Sequence, residues 1–159
     1  MKKLRVYLDT SVISFIFADD APEYQSVTID FFDNFLQEYD VYISEIVYLE
    51  INKTGDVARK NQLLGAIENF DVRVYDAVND EIESLAEVYV RSGVIPRNKF
   101  EDAMHIAFCT YYDFDVLLSW NFRHLANIRK QIEINSINKA QGYLKDLNLL
   151  NPMEVIYEK

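Results

Sequence analysis

The sequence predicts an α/β protein: a mostly parallel central sheet of four or five strands, covered by helices on both faces. Short apolar runs of strand length, such as Val6-Tyr7-Leu8 and Val116-Leu117-Leu118, alternate with longer stretches whose apolar residues recur at helical spacing. That alternation is the pattern of βαβ units, in which crossover helices join parallel strands. Several apolar runs also end on a polar residue just where the next helix should begin.

Leu4–Leu8 reads as the first strand and ends at Asp9. Pro22–Glu38 reads as a long helix, because Val27, Phe31, Phe35 and Tyr39 fall four residues apart. Asp40–Ile43 is the second strand. Ser44 follows as a helix N-cap, with Glu45 in the first turn, where the helix dipole favours an acid. That helix runs over 45–53 and stops at Thr54-Gly55; Asp56–Asn69 forms another. Asp71–Tyr75 is the third strand. Asn79–Ser92 is helical, with Gly93 placed to terminate it. A helix over 98–112 carries the stripe Phe100, Ala103, Met104, Ala107, Phe108 and Tyr111, and Val116–Ser119 is the fourth strand. Two shorter helices are expected at 121–130 and 138–147, with a possible edge strand over Ile132–Ile137.

The chain has 159 residues, which suits one domain spanning 1–159. Half of them are hydrophobic, too many for intrinsic disorder. One cysteine, Cys109, excludes an internal disulfide and a cysteine zinc cage. Asp9 interrupts the first apolar run too early for a signal peptide, and no stretch approaches the ~20 apolar residues of a membrane span. A cytoplasmic location with no membrane contact is the expectation. The net charge of −10 is localised. Residues 6–52 contain ten acids and no Lys or Arg, whereas the rest of the chain balances 16 bases with 16 acids. Taken alone, this acidity argues against a nucleic-acid ligand, whose binding surface is normally basic. Asp19, Asp20, Asp30, Asp33, Glu38 and Asp40 read as a solvated face around the first long helix, which would repel nucleic acid from that side or meet a basic partner segment.

Four polar residues stand out. Asp9 and Asn121 each follow a strand, where a turn or helix cap is the ordinary role. Glu50 shares a helix face with Ile46 among apolar neighbours, with Lys53 as a candidate surface partner. Asp102 lies early in its helix, where the dipole favours an acid, and Ile106 four residues on turns it toward the interior. Strand ends and the first turns of the following helices converge at one edge of a parallel sheet. Three carboxylates there repel one another unless a cation neutralises them, and oxygen-only ligands suit Mg²⁺ or Mn²⁺.

These residues resemble the PIN-domain nucleases, and among them the VapC-like toxins of toxin–antitoxin pairs. The resemblance rests on four segments in order: Tyr7-Leu8-Asp9-Thr10-Ser11, Ile43-Ser44-Glu45-Ile46-Val47-Tyr48-Leu49-Glu50, Glu101-Asp102-Ala103-Met104-His105-Ile106-Ala107 and Leu117-Leu118-Ser119-Trp120-Asn121. It covers about residues 4–125. It implies an α/β/α sandwich and a metal-dependent endoribonuclease that hydrolyses RNA phosphodiester bonds. Asp9, Glu50 and Asp102 match the acidic, metal-holding triad, with Glu45 as the alternative second acid. Asn121 falls where many members carry a fourth acid. A neutral amide there weakens binding of a second ion and leaves a catalytically weak or inactive interaction module as the rival reading.

Thr10, Ser11 and Ser119 are placed to position water or phosphate. Arg97, Lys99 and Arg123 are candidate phosphate contacts, with His124, Arg129 and Lys130 nearby in sequence. Tyr111, Tyr112, Trp120 and Phe122 are either packing or base-stacking residues. The resemblance also implies a homodimer and a small antitoxin partner. A phosphatase of the haloacid dehalogenase type also starts with a strand ending in Asp, but it needs a second Asp two residues later, where this chain has Ser11.

Overall fold

A computed structural model describes residues 2–75 and 77–158. Its sheet contains five strands: β1 (Arg5–Leu8), β2 (Asp40–Ser44), β3 (Arg73–Tyr75), β4 (Val116–Leu118) and β5 (Asn148–Leu150). All are parallel, in the order β3-β2-β1-β4-β5. The chain builds outward from β1 to β3, then returns to lay β4 on the other side of β1. The crevice at such a reversal, beyond the carboxyl ends of the strands, is where open α/β sheets bind ligands. Asp9 and Ser119 follow the two strands that flank it.

Seven α-helices are described: α1 (Thr10–Ser14), α2 (Pro22–Asp30), α3 (Glu45–Asn52), α4 (Val57–Asn69), α5 (Asp80–Arg91), α6 (Phe100–Tyr111) and α7 (Ile128–Ala140). Strand periodicity divides the core between the two faces. Val6 and Leu8 of β1, Val41 and Ile43 of β2, and Val116 and Leu118 of β4 face a core built with α1, α2 and α4. Tyr7 and Leu117 face the opposite core with α5, α6 and α7. The expected layered fold is therefore present. Its α3 straddles the layers, with Ile46 in one core and Val47 and Ile51 in the other.

Four expectations need correction. The helix beginning at Pro22 does not run uniformly to Glu38. It passes into a π-helical turn at Phe31–Phe35 and a 3₁₀ turn at Leu36–Glu38. The wider turn lets Phe31, Phe32 and Phe35 all enter the core.

The segment after Asn121 is a series of turns, not a helix over 121–130. Asn127 has extended backbone and caps Lys130 N, so the helix starts only at Ile128. Residues 132–137 lie inside α7 and form no strand. Ile132 and Ile134 mimic strand alternation, yet helical spacing buries Ile134 and Asn138 together. Helix α7 ends before Gly142, which takes a positive φ, so no helix spans 138–147. The fifth strand lies beyond it, at Asn148–Leu150.

Strand β5 is at the sheet edge, and side chains of α7 cover it. Asn135 exchanges two hydrogen bonds with the Leu147 backbone, both 2.9 Å, and Gln131 Oε1 accepts from Leu149 N at 2.9 Å. Deeper in the α5–α7 layer, the Tyr89 hydroxyl donates to Asn138 Oδ1, and Asn138 Nδ2 donates to Thr110 Oγ1 at 2.9 Å.

Truncating Asn138 to Ala leaves Tyr89 and Thr110 short of a partner in a dry layer. The expected cost is about 1–3 kcal/mol, read as a lower urea midpoint with an unchanged m-value.

Candidate active site

Asp9 is where the site begins. It closes β1, and its extended backbone makes it the N-cap of α1, a five-residue helix that the apolar pattern does not reveal. Its side chain is only 4% exposed. Oδ1 accepts from Ser11 Oγ at 2.5 Å and from Val12 N at 3.4 Å; Oδ2 accepts from Ser119 Oγ at 2.5 Å. Burial pushes the Asp9 carboxyl above the usual range, against the pull of His105 and the two serines. Thus the cap role and a role in an acidic site fall on one residue.

Ser11 and Ser119 are committed to this arrangement. Ser11 Oγ also accepts from Trp120 N at 2.9 Å, and Ser119 Oγ from Asn121 N at 2.9 Å. With their hydroxyl hydrogens directed at Asp9, both hold a carboxylate in place. Thr10 does the same for the second acid, donating from Oγ1 to Glu50 Oε1 at 3.0 Å.

Glu50 comes from α3, whose start is set by Ser44 capping Ile46 N at 3.2 Å. Burial works against its charge. The hydrogen bond and charge of His105, then Thr10 and Lys53, outweigh burial and hold Glu50 below its ordinary value. Lys53 itself forms its ion pair with Glu101, not with Glu50. Glu45 lies apart from these contacts, accepting from Val78 N at 3.3 Å.

His105 supports the acids from behind. It is buried in α6, and its Nε2 bonds to Glu50 while Nδ1 meets the Tyr7 hydroxyl at 2.6 Å. The Tyr7 hydroxyl also meets Ser44 Oγ at 2.8 Å. Burial opposes the imidazolium, but Glu50, Asp9 and Asp102 favour it, and the net shift is upward. The only forewarning in the sequence is spacing: His105 is three residues after Asp102, on the same helical face.

Asp102 lies in the first turn of α6. Burial, followed by the like charges of Asp9 and Glu50, raises its carboxyl to about 6, despite opposing contributions from His105 and Lys99. Asn121 directs Nδ2 to Asp102 Oδ2 at 3.2 Å, while its Oδ1 accepts from His124 N at 3.0 Å. It presents a donor to Asp102 and orients that acid.

The site thus brings Asp9, Glu50, Asp102, Asn121, Thr10, Ser11 and Ser119 into one hydrogen-bonded and electrostatically coupled region. The basic candidates are less uniform. Arg97 is held by both oxygens of Glu87, at 2.5 and 2.8 Å. Lys99 and Arg123 are exposed and form no ion pair among the described residues. Both act on the partly buried His124, whose pKa is lowered first by burial and then by Arg123, Lys130 and Lys99.

Among the described residues, no three His, Cys, Asp or Glu side chains stand close enough together to hold a metal ion as arranged. The donor chemistry nevertheless fits a hard divalent cation, because Asp9, Glu50 and Asp102 supply carboxylate oxygens only. No helix among the described residues is long and apolar enough to cross a membrane.

A family model described as the PIN domain matches residues 6–131, which include all four acidic or amide positions of the site. No curated protein matches the chain.

The Asp102 shift has a defined sign. Its folded value of about 6 lies above the ordinary aspartate value of 3.8, so the folded state holds the proton more tightly. Ionising Asp102 as pH rises through that window therefore costs stability. In chelator near pH ~7.5, Asp102→Asn is expected to melt a few degrees above the parent, with the difference shrinking toward zero near pH ~4. Thermal scans of both proteins across that range measure it.

Proposed function

The chain belongs to the PIN-domain family, a family of nucleases that generally use divalent metals, and from that premise we propose that it is an Mg²⁺- or Mn²⁺-dependent endoribonuclease hydrolysing RNA phosphodiester bonds. The observation carrying this reading is the hydrogen-bonded line from Asp9 through Ser119 and Asn121 to Asp102, with Glu50 held by Thr10 and His105, beyond the carboxyl ends of the central strands. A divalent cation held by these acids would supply a water of lowered pKa and offset charge on the scissile phosphate.

The chain's own residues prepare the site. Ser11 and Ser119 fix both oxygens of Asp9. Thr10 and His105 fix Glu50, and Tyr7 closes that line from behind. Asn121 orients Asp102. Lys99 and Arg123 provide positive charge for flanking phosphates, whereas Arg97 must first leave Glu87. No side chain need become a covalent nucleophile; Cys109 is fully buried in the apolar layer.

Within this reading the protein is a VapC-like toxin, with a small antitoxin as partner and a homodimeric assembly. Charge supports the partner. Exposed Asp19, Asp20, Glu23, Asp33 and Glu38 surround α2 and its extension and would suit a basic antitoxin segment. The rival, an inactive interaction module of the same fold, draws support from Asn121, which puts an amide donor beside Asp102.

Purified protein with Mn²⁺ is expected to cleave RNA. Asp9→Asn and Asp102→Asn should each lower the rate by roughly a hundredfold or more, the scale of losing a charged group aimed at the reacting centre. Mn²⁺ should also raise the parent's melting temperature, and raise it less in either variant. Equal thermal shifts in all three proteins would remove these acids from the metal site. Absence of cleavage with every divalent ion tried would leave the interaction module.

A further inference from the structure

Arg97, Lys99, Arg123 and Lys130 all lie in the second half of the chain, around α6 and after β4. Between residues 6 and 58, which supply Asp9 and Glu50, Lys53 is the single Lys or Arg. Arg59, the next base, is committed elsewhere: its guanidinium donates to Ser14 O at 3.0 Å and lies 5.6 Å from the Phe17 ring centroid.

Lys53 is rooted beside the acids. It is the C-cap of α3, and its backbone N donates to the Glu50 carbonyl at 3.2 Å. Its side chain is 70% exposed and reaches across to α6, where it pairs with Glu101, the residue before Asp102. The pair therefore bridges the two helices that carry Glu50 and Asp102. The charge of Lys53 acts on Glu50, whereas that of Lys99 acts on Asp102, so an ammonium group stands near each acid.

A strand laid across a hydrolytic site carries a phosphate on either side of the one being cut. Lys99 and Arg123 can meet it from the Asp102 and Asn121 side, and Lys53 is the cation placed to meet it from the Glu50 side. An exposed ion pair holds weakly, because water screens it and two long side chains must be ordered to make it. A phosphate offers the same ammonium donors a fuller charge and more acceptor oxygens than the Glu101 carboxylate does.

We propose that Lys53 is a substrate-phosphate contact kept in reserve by Glu101, exchanging that carboxylate for a backbone phosphate when a strand crosses the acids. This rests on the nuclease reading and adds a contact on the Glu50 side of its site. A simple staple between α3 and α6 makes a different prediction, since loss of either partner would then do the same harm.

The probe is a 2′-O-methyl oligonucleotide of about ten nucleotides, followed by fluorescence anisotropy in Ca²⁺ between about 50 and about 200 mM salt. Lys53→Ala should weaken binding about tenfold at the low-salt end and make the salt dependence shallower by about 0.7, the slope of one phosphate contact on a single strand. Lys53→Arg should retain both. Glu101→Gln should act in the opposite sense and tighten binding about threefold, the scale of an exposed pair that no longer competes. That gain should vanish when Lys53→Ala is also present. Thermal melts of the two single variants should move together, since both break one pair.

An unchanged salt slope in Lys53→Ala would overturn the contact. So would a Glu101→Gln gain that persists without Lys53, which would be a general effect of removing negative charge, or weakened binding in both single variants, which is the staple. A parent protein that does not bind the oligonucleotide would overturn it as well. The two readings fail separately. Opposite effects of the two variants on binding, without hydrolysis of unmodified RNA in Mn²⁺, would sink the nuclease and keep the contact. Hydrolysis with kcat/KM unaltered by Lys53→Ala at low salt would do the reverse.

Discussion

A carboxylate at the end of the central strand, taken out of water and held by two hydroxyls, organises this molecule. Asp9 closes β1, caps α1, and through Ser119 ties β1 to the end of β4. Through Ser11 it also fixes the Trp120 backbone. Burial makes such a group costly in its ionised form, and hydrogen bonds recover only part of that cost. The fold tolerates it because the sheet reverses at this point, placing the ends of two adjacent strands and the starts of two helices around one small volume.

The same constraint explains why the acids behave differently although they are neighbours. Glu50 has a buried imidazole as partner and stays below its ordinary pKa. Asp102 is pushed up to about 6 by burial and then by two negative neighbours, with an amide hydrogen from Asn121 as its hydrogen-bond partner and His105 and Lys99 opposing the shift. Asp9 is also raised by burial, while the hydroxyls of Ser11 and Ser119 and the charge of His105 pull it down. One side of the cluster thus has a counter-charge built into the chain, and the other side has much less.

Much of this was readable from residue order. The apolar runs located β1, β2 and β4, and the polar residues ending them located the sheet edge that carries the acids. Glu50 and Glu45 were separable only by resemblance, because both lie on α3; their contacts, His105 for one and Val78 N for the other, depend on tertiary packing. His105 was visible as a neighbour of Asp102, but its line through Tyr7 to Ser44 joins α6, β1 and β2, which no local pattern encodes. The errors after Asn121 have a local cause. Asn127 restarts the helix by capping, and isoleucines at 132, 134 and 137 satisfy strand and helix periods at once.

The covered edge of β5 has a consequence for assembly. Asn135 and Gln131 place side-chain amides where a sixth strand would place its peptide groups, and they bond the backbone of Leu147, just before the strand, and Leu149 N within it. A terminal strand left open is a template for pairing with another chain. Here an incoming strand would first have to strip a helix of its amide contacts, so this border works as a stop rather than a joint. Strand addition is therefore disfavoured at this border, where the chain's own helix already stands in for a neighbour.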